Sequence, residues 1–331
     1  MRAVIGTSVD EAVSWLRRGE PVALPTETVY GLASPLFSQE TIHKIYELKQ
    51  RPTDNPLIVH VSSLEQVSSI AFQTPLSVRL QKQFWPGPLT LILRKKPCVS
   101  DLVTAGQSSV AVRCPKASLF REVINILNEP LVAPSANKFQ HISPTTAQHV
   151  LEDMGDVLAY ILDGGPCQCG VESTILSLLD KNKPTLLRFG PIAKEELETF
   201  LGQEIAVGSL LVQDKEVHLS PGLYKKHYSP KTPLYWVTSL NHYKPTDDLG
   251  KIFSHNSAHI YLFPPDKHLQ ENEFVLSKNN QLKEVAANLF ALLQKIDLMK
   301  FSSIWIEKAP AVGIGNAIND RLSRAAHFKL T

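Results

Sequence analysis

This 331-residue chain has few cysteines, little net charge and no long apolar run. Each scarcity removes a class of function. No stretch approaches the ~18 consecutive apolar residues of a membrane span. The opening MRAVIGTSVDEAV meets charges before any apolar run of signal length. The expectation is a cytoplasmic protein with no membrane partner. A net charge of +2 is too small for a general polyanion binder, so a nucleic-acid role would need a local basic patch. The four cysteines, Cys98, Cys114, Cys167 and Cys169, form no CxxC pair. Cys167-Gln168-Cys169 has no second half at ligand spacing, so free thiols and no stable metal site are expected. No GxxxxGK[ST] phosphate loop, GxSxG elbow or HExxH zinc motif occurs. Gly313-Ile314-Gly315 has Ile318 where a dinucleotide fingerprint needs its third glycine, and reads as a strand-to-helix turn.

The length allows two domains, because single cores rarely grow past ~250–300 residues. From residue 9 to about 205 helical and strand patterns alternate. VDEAVSWLRR reads as an amphipathic helix capped by Ser8, and QETIHKIYELK spaces Ile42, Ile45 and Leu48 on one face. PVALPTE, NPLIVHVSS, TLILRK, SVAVRCP, LVAPSA, VLAYILDG, STILSLL and TLLRFG read as strands. Continuous apolar runs, without strict alternation, predict an α/β fold whose mixed or parallel sheet is covered on both faces. Residues 208–233 carry Pro221, Pro230 and Pro233 with no sustained period and read as a linker. Residues 234–331 then predict a second, smaller α/β domain.

Chemistry-bearing side chains gather at element ends. Leu24-Pro25 breaks a strand and presents Thr26, Glu27 and Thr28. Lys49 and Arg51 stand at a helix exit enforced by Pro52, with Asn55 beyond. Cations there can simply complement the helix dipole. Arg113 ends the strand VAV as an anion clamp or as a solvated strand end. Ser135-Ala136-Asn137 follows Pro134, and Ser143-Pro144 reads as a helix N-cap and first residue, a place for capping or for an anion. Arg188, inside TLLRFG, must face a cleft or pair.

Seven segments, PTETVYGLA, Lys49-x-Arg51-Pro52 with NPLIVHV, WPGPLTLIL, TAGQSSVAVRCP, APSANKFQHISPTTA, DGGPCQCGVESTI and LLRFGPI, occur in the order seen in YrdC-like threonylcarbamoyl-AMP synthases. SPGLYKKHYSP followed by a small α/β domain resembles the long, two-domain form of that family. The resemblance implies an open, twisted mixed α/β sheet at 1–207, a linker at 208–233 over the active site and a Rossmann-like domain at 234–331. It also implies synthesis of L-threonylcarbamoyl-adenylate from L-threonine, bicarbonate or CO2 and ATP, with Mg2+ on the nucleotide and release of pyrophosphate. The product would pass to a tRNA threonylcarbamoyltransferase complex acting beside the anticodon.

The same resemblance assigns residues. Thr28, His60, Arg113, Ala133 and Ser173 would hold threonine, and Lys49 and Arg51 would lie near the phosphates as catalytic cations. Arg51, Asn55, Ser109, Ser135, Asn137, Ser143 and Arg188 would hold ATP, joined from the linker by Tyr224 and His227. The linker order Tyr224-Lys225-Lys226 before His227-Tyr228 differs from the family's usual Lys-Tyr-Arg before His-Tyr. The alternatives are a carbamoyl-adenylate-forming enzyme of the hydrogenase-maturation kind, normally preceded by cysteine-rich fingers, and an RNA-binding module.

Overall fold

The computed structural model describes residues 2–180, 182–208, 228–240 and 256–330. They fall into two compact units. One is built on residues 2–208 apart from Gln140–Ile142 and Cys169–Val171, which cluster with the other, formed by residues 228–330.

The first unit is an eleven-stranded mixed sheet flanked by helices. Its strands are β1 (Val4–Gly6), β2 (Val22–Leu24), β3 (Gly31–Pro35), β4 (Ile58–His60), β5 (Leu89–Arg94) and β6 (Ser109–Arg113). They continue as β7 (Leu131–Val132), β8 (Tyr160–Leu162), β9 (Thr174–Ser177), β10 (Thr185–Arg188) and β11 (Ala206–Val207). The spatial order is β1-β8-β2-β3-β7-β4-β6-β5-β9-β10-β11. β4 and β6 run parallel with His60 beside Arg113, whereas β7 crosses β3 and β4 antiparallel.

Alternation along the central strands divides their side chains between two faces. Val59, Leu91, Leu93, Val110, Val112 and Leu176 join the large core on one face. On the other, Ile58, Ile92, Ala111, Ile175 and Leu187 form a small apolar floor. Beside it Leu131 and Ala133 pack with Phe120 and the helices Val9–Arg17 and Ser118–Leu127. By the same alternation Ser109, Arg113 and His60 share the face of the small floor.

The helix patterns read from sequence are present, with local differences. Ser8 caps Val9–Arg17 by accepting from the Glu11 amide, and Gln39–Lys49 ends on Gln50 at φ 52°. Ser143-Pro144 does not begin a helix: Thr146 caps Ala147–Met154 and accepts from the His149 amide. The PVALPTE strand stops at Leu24, and Thr26 turns the chain by accepting from the amides of Thr28 and Val29. β3 lacks a clear sequence signal, and the helices Leu64–Ile70 and Pro75–Phe84 are not among the expected elements although Ser63 and Thr74-Pro75 are ordinary helix starts. β3 is buried at every position, so it shows no alternation, and Leu64–Ile70 is short and serine-rich.

The second unit is a five-stranded, wholly parallel sheet with helices, as the Rossmann-like expectation required. Its strands are β12 (Leu234–Val237), β13 (Ser257–Tyr261), β14 (Glu273–Val275), β15 (Ser303–Glu307) and β16 (Phe328–Leu330), in the order β14-β13-β15-β12-β16. Tyr235 stacks between Trp305 and Phe328, with ring centroids 4.4 and 4.5 Å away. Among the described residues its helices are Leu282–Leu298 and Gly315–Ala325. Among the described residues no helix is long and apolar enough to cross a membrane.

Candidate active site

The site is assembled from strand ends and the loops that follow them. The turn after β2 is tied to the loop after β7 by backbone bonds from Tyr30 N to Pro144 O and from Ala136 N to Tyr30 O. Gly31 bridges Ser135, and a Cβ on Gly31 would stand 3.1 Å from that of Ala133, so only glycine allows this approach without displacement. The Tyr30 hydroxyl donates to Gly165 O at 2.8 Å, anchoring the Asp163-Gly164-Gly165 turn. Burial and the Asp163 carboxylate push that phenol far above its ordinary pKa.

Arg113, at the end of β6, is 4% exposed. Its Nη1 donates to Thr28 Oγ1 at 2.9 Å, its Nε to Gly87 O at 3.3 Å, and its Nη2 lies 2.7 Å from Glu27 Oε1. His60, its neighbour in register, lies against Phe120 with ring centroids 5.0 Å apart. Burial, then the Arg113 charge, push the imidazole down to about 3. The ring is therefore neutral at physiological pH. Nδ1, 3.2 Å from Ile58 O, then carries the hydrogen and Nε2 is left as an acceptor. The Ala133 amide donates to Ile58 O at 3.1 Å, which sets Ala133 beside the same ring.

A second group surrounds Ser173. Its hydroxyl lies 2.8 Å from Thr90 Oγ1, and Arg188 donates to Ser173 O at 2.9 Å and to Ser173 Oγ at 3.0 Å. Arg188, at the end of β10, is thus satisfied by the residue that precedes the neighbouring strand β9. Gly190 makes this possible, since a Cβ there would lie 2.2 Å from the Thr174 amide. Ser143 donates to Glu172 Oε1 at 2.6 Å, which brings the Ser143 loop to the residue before Ser173.

A third group starts at the helix exit. Lys49 Nζ donates to the carbonyl oxygens of Ser135, at 2.6 Å, and of Asn137, while the Lys49 carbonyl accepts from the Phe139 amide. Burial, and then the Arg51 charge, drive the Lys49 pKa well below its ordinary value. Arg51 Nη2 donates to Pro56 O at 2.9 Å and to Asn55 O at 3.2 Å. Asn55 is fully buried, yet its side-chain nitrogen and oxygen meet no hydrogen-bond partner among the described residues. Ser109, at the far end of β6 from Arg113, is buried about 13 Å from it along the strand at ~3.3 Å per residue. Tyr224 and His227 lie outside the described residues.

Sequence reasoning assigned no role to Glu27. Its only signal was its place between two threonines after a broken strand. A cavity of about 270 Å3 opens beside Thr26 and Glu27, lined also by Lys116, Ser118 and Gly164, and none of the predicted contact residues lines it. Buried cations outnumber buried carboxylates in this unit: Lys49, Arg51, Arg113 and Arg188 against Glu27 and Glu172 among the described residues. An excess of buried cations, with amides and hydroxyls around them, suits a ligand carrying several negative charges.

Comparison with known proteins shows the family to which the chain belongs. The Sua5_yciO_yrdC family model, described as "Telomere recombination", matches residues 14–190. The model described as "Threonylcarbamoyl-AMP synthase, C-terminal domain" matches residues 192–327. The threonylcarbamoyl-AMP synthase of Bacillus subtilis is 39% identical over 331 aligned positions, which cover 96% of this chain and 92% of that protein. The Pyrococcus abyssi threonylcarbamoyl-AMP synthase is 34% identical, covering 96% of this chain and 94% of its own. The crystal structure of P. abyssi Sua5 complexed with L-threonine superposes with a TM-score of 0.89 at 32% identity, covering 99% of this chain and all of that one.

Proposed function

Because this chain belongs to the Sua5–YciO–YrdC family of threonylcarbamoyl-AMP synthases, we propose that it makes L-threonylcarbamoyl-adenylate from L-threonine, bicarbonate or CO2, and ATP. The observation that carries this reading is the likeness to enzymes of that name across both halves of the chain.

The threonine amine first takes up the one-carbon unit as a carbamate. A carbamate oxygen then attacks the α-phosphorus of ATP. A new O–P bond forms, the bond to the β-phosphate oxygen breaks, and pyrophosphate leaves. The substrate supplies its own nucleophile, so the protein's part is positioning and charge stabilisation. Arg113 takes the threonine carboxylate on its forked guanidinium, with Thr28, His60, Ala133 and Ser173 around the rest of the amino acid. Neutral His60 offers an acceptor there without adding charge. Arg51, Asn55, Ser109, Ser135, Asn137, Ser143 and Arg188 hold the nucleotide, with Tyr224 and His227 as linker contributors. The unpartnered Asn55 amide supports this, since an empty donor and acceptor in a buried position await a polar ligand.

Mg2+ would screen the phosphates and assist departure of pyrophosphate. The metal would ride on the nucleotide phosphates. The adenylate would pass to a complex that modifies a tRNA adenosine. Incubation with threonine, ATP and carbon-13 bicarbonate tests the reading: mass spectrometry should find one heavy carbon in the threonylcarbamoyl adenylate. Adenylate lacking the label, or no adenylate, would refute it.

A further inference from the structure

Glu27, set between two threonines where β2 breaks off, turns out to address an arginine. We propose that Glu27 is a positioning residue for substrate binding, its carboxylate fixing Arg113 in the orientation that receives the amino acid. The inference rests on the proposed function and adds a residue to it.

Glu27 Oε1 lies 2.7 Å from Arg113 Nη2, and the two side chains are 5% and 4% exposed. The other oxygen, Oε2, accepts from the Lys116 amide at 2.9 Å. Lys116 comes three residues after Arg113 on the same strand exit, so one carboxylate grips both the guanidinium and the backbone that carries it. The turn holding Glu27 is itself locked: Thr26 Oγ1 donates to Val29 O at 2.6 Å and accepts from the amides of Thr28 and Val29.

Arg113 is therefore held at each of its three nitrogens, by Gly87 O, Thr28 Oγ1 and Glu27 Oε1. Nε and Nη1 each use a hydrogen in their bonds, whereas Nη2 is ion-paired to Oε1 without hydrogen-bond geometry, so both terminal nitrogens keep hydrogens for a carboxylate taken at both. A planar, forked guanidinium gives that specificity only when its plane is fixed. Thr28 fixes one arm and Glu27 the other. Glu27 also supplies the counter-charge that a buried arginine needs before an anionic ligand arrives.

The test uses the full chain and steady-state pyrophosphate release with threonine and ATP varied separately. Glu27→Ala should raise the threonine KM about tenfold or more while the ATP KM stays within about twofold. Glu27→Gln, which is isosteric and keeps one acceptor, should fall between. Arg113→Ala combined with Glu27→Ala should show the same threonine KM as Arg113→Ala alone, because the carboxylate acts only through the guanidinium. An unchanged or lowered threonine KM in both Glu27 variants, equal rises in both KM values, or multiplicative losses in the double variant would overturn the inference. A wild-type rate indifferent to threonine would instead defeat the proposed function itself.

Discussion

Lys49 donates a 2.6 Å hydrogen bond to the carbonyl oxygen of Ser135, joining the end of the helix Gln39–Lys49 to the loop after β7. The ammonium also reaches the carbonyl of Asn137 and is almost fully buried. It tethers the loop that carries Ser135 and Asn137, the residues proposed to hold the nucleotide. Lys49→Met should cost about 1–3 kcal/mol, because buried carbonyls lose their donor. It should also weaken ATP binding. Denaturant unfolding and calorimetric ATP titration check both, and unchanged ATP affinity would contradict the tether.

Asn55 predicts the opposite balance. Its side chain makes no hydrogen bond to lose, so Asn55→Ala should change stability by less than about 1.5 kcal/mol. ATP affinity should fall by about tenfold or more, a loss of ~1.4 kcal/mol or above. A variant that is badly destabilised yet binds ATP normally would assign Asn55 to the scaffold.

His60 gives the fold a pH dependence with a definite sign. In the folded protein its pKa is pushed down to about 3, chiefly by burial, whereas in the unfolded chain it titrates near 6.5. The unfolded state binds the extra proton between those values. This contribution to stability is therefore complete above about pH 6.5 and is lost as pH falls towards 3. Between pH 7.5 and 5.5 the His60 part of the loss should be about 1.4 kcal/mol, and His60→Gln should remove it. Unfolding curves at the two pH values, compared between the proteins, measure the difference. A wild-type loss no larger than the variant's would mean His60 takes up a proton in the folded state.

Serine should be a poor but real substrate. Losing one methyl from an apolar contact is worth only about 1–3 kcal/mol, so kcat/KM should favour threonine by roughly 10- to 200-fold. Competition in one reaction vessel, read by product mass, measures it. A far larger ratio would require an additional discriminating contact.

Much of this was legible before any coordinates. Strands such as SVAVR and TILS announce themselves by apolar runs, and Ser8 and Gln39–Lys49 follow ordinary helix signals. The end of β6 placed Arg113 correctly as a terminal cation. What sequence could not give was partnership. Glu27 and Arg113 are 86 positions apart, and only the sheet order, which sets β4 beside β6 and β7, brings the β2 turn to the β6 exit. Ser143-Pro144 misled because a serine–proline pair satisfies the capping pattern, while its hydroxyl is taken by Glu172 across the chain. β3 escaped because a strand buried on both faces carries no period.

Pyrophosphate release measured with each substrate withheld in turn bears most directly on the central claim, that buried cations hold a nucleotide beside an amino acid. The account predicts release only when ATP, threonine and bicarbonate are all present, with background rates whenever one is missing. Equal release without threonine would contradict it.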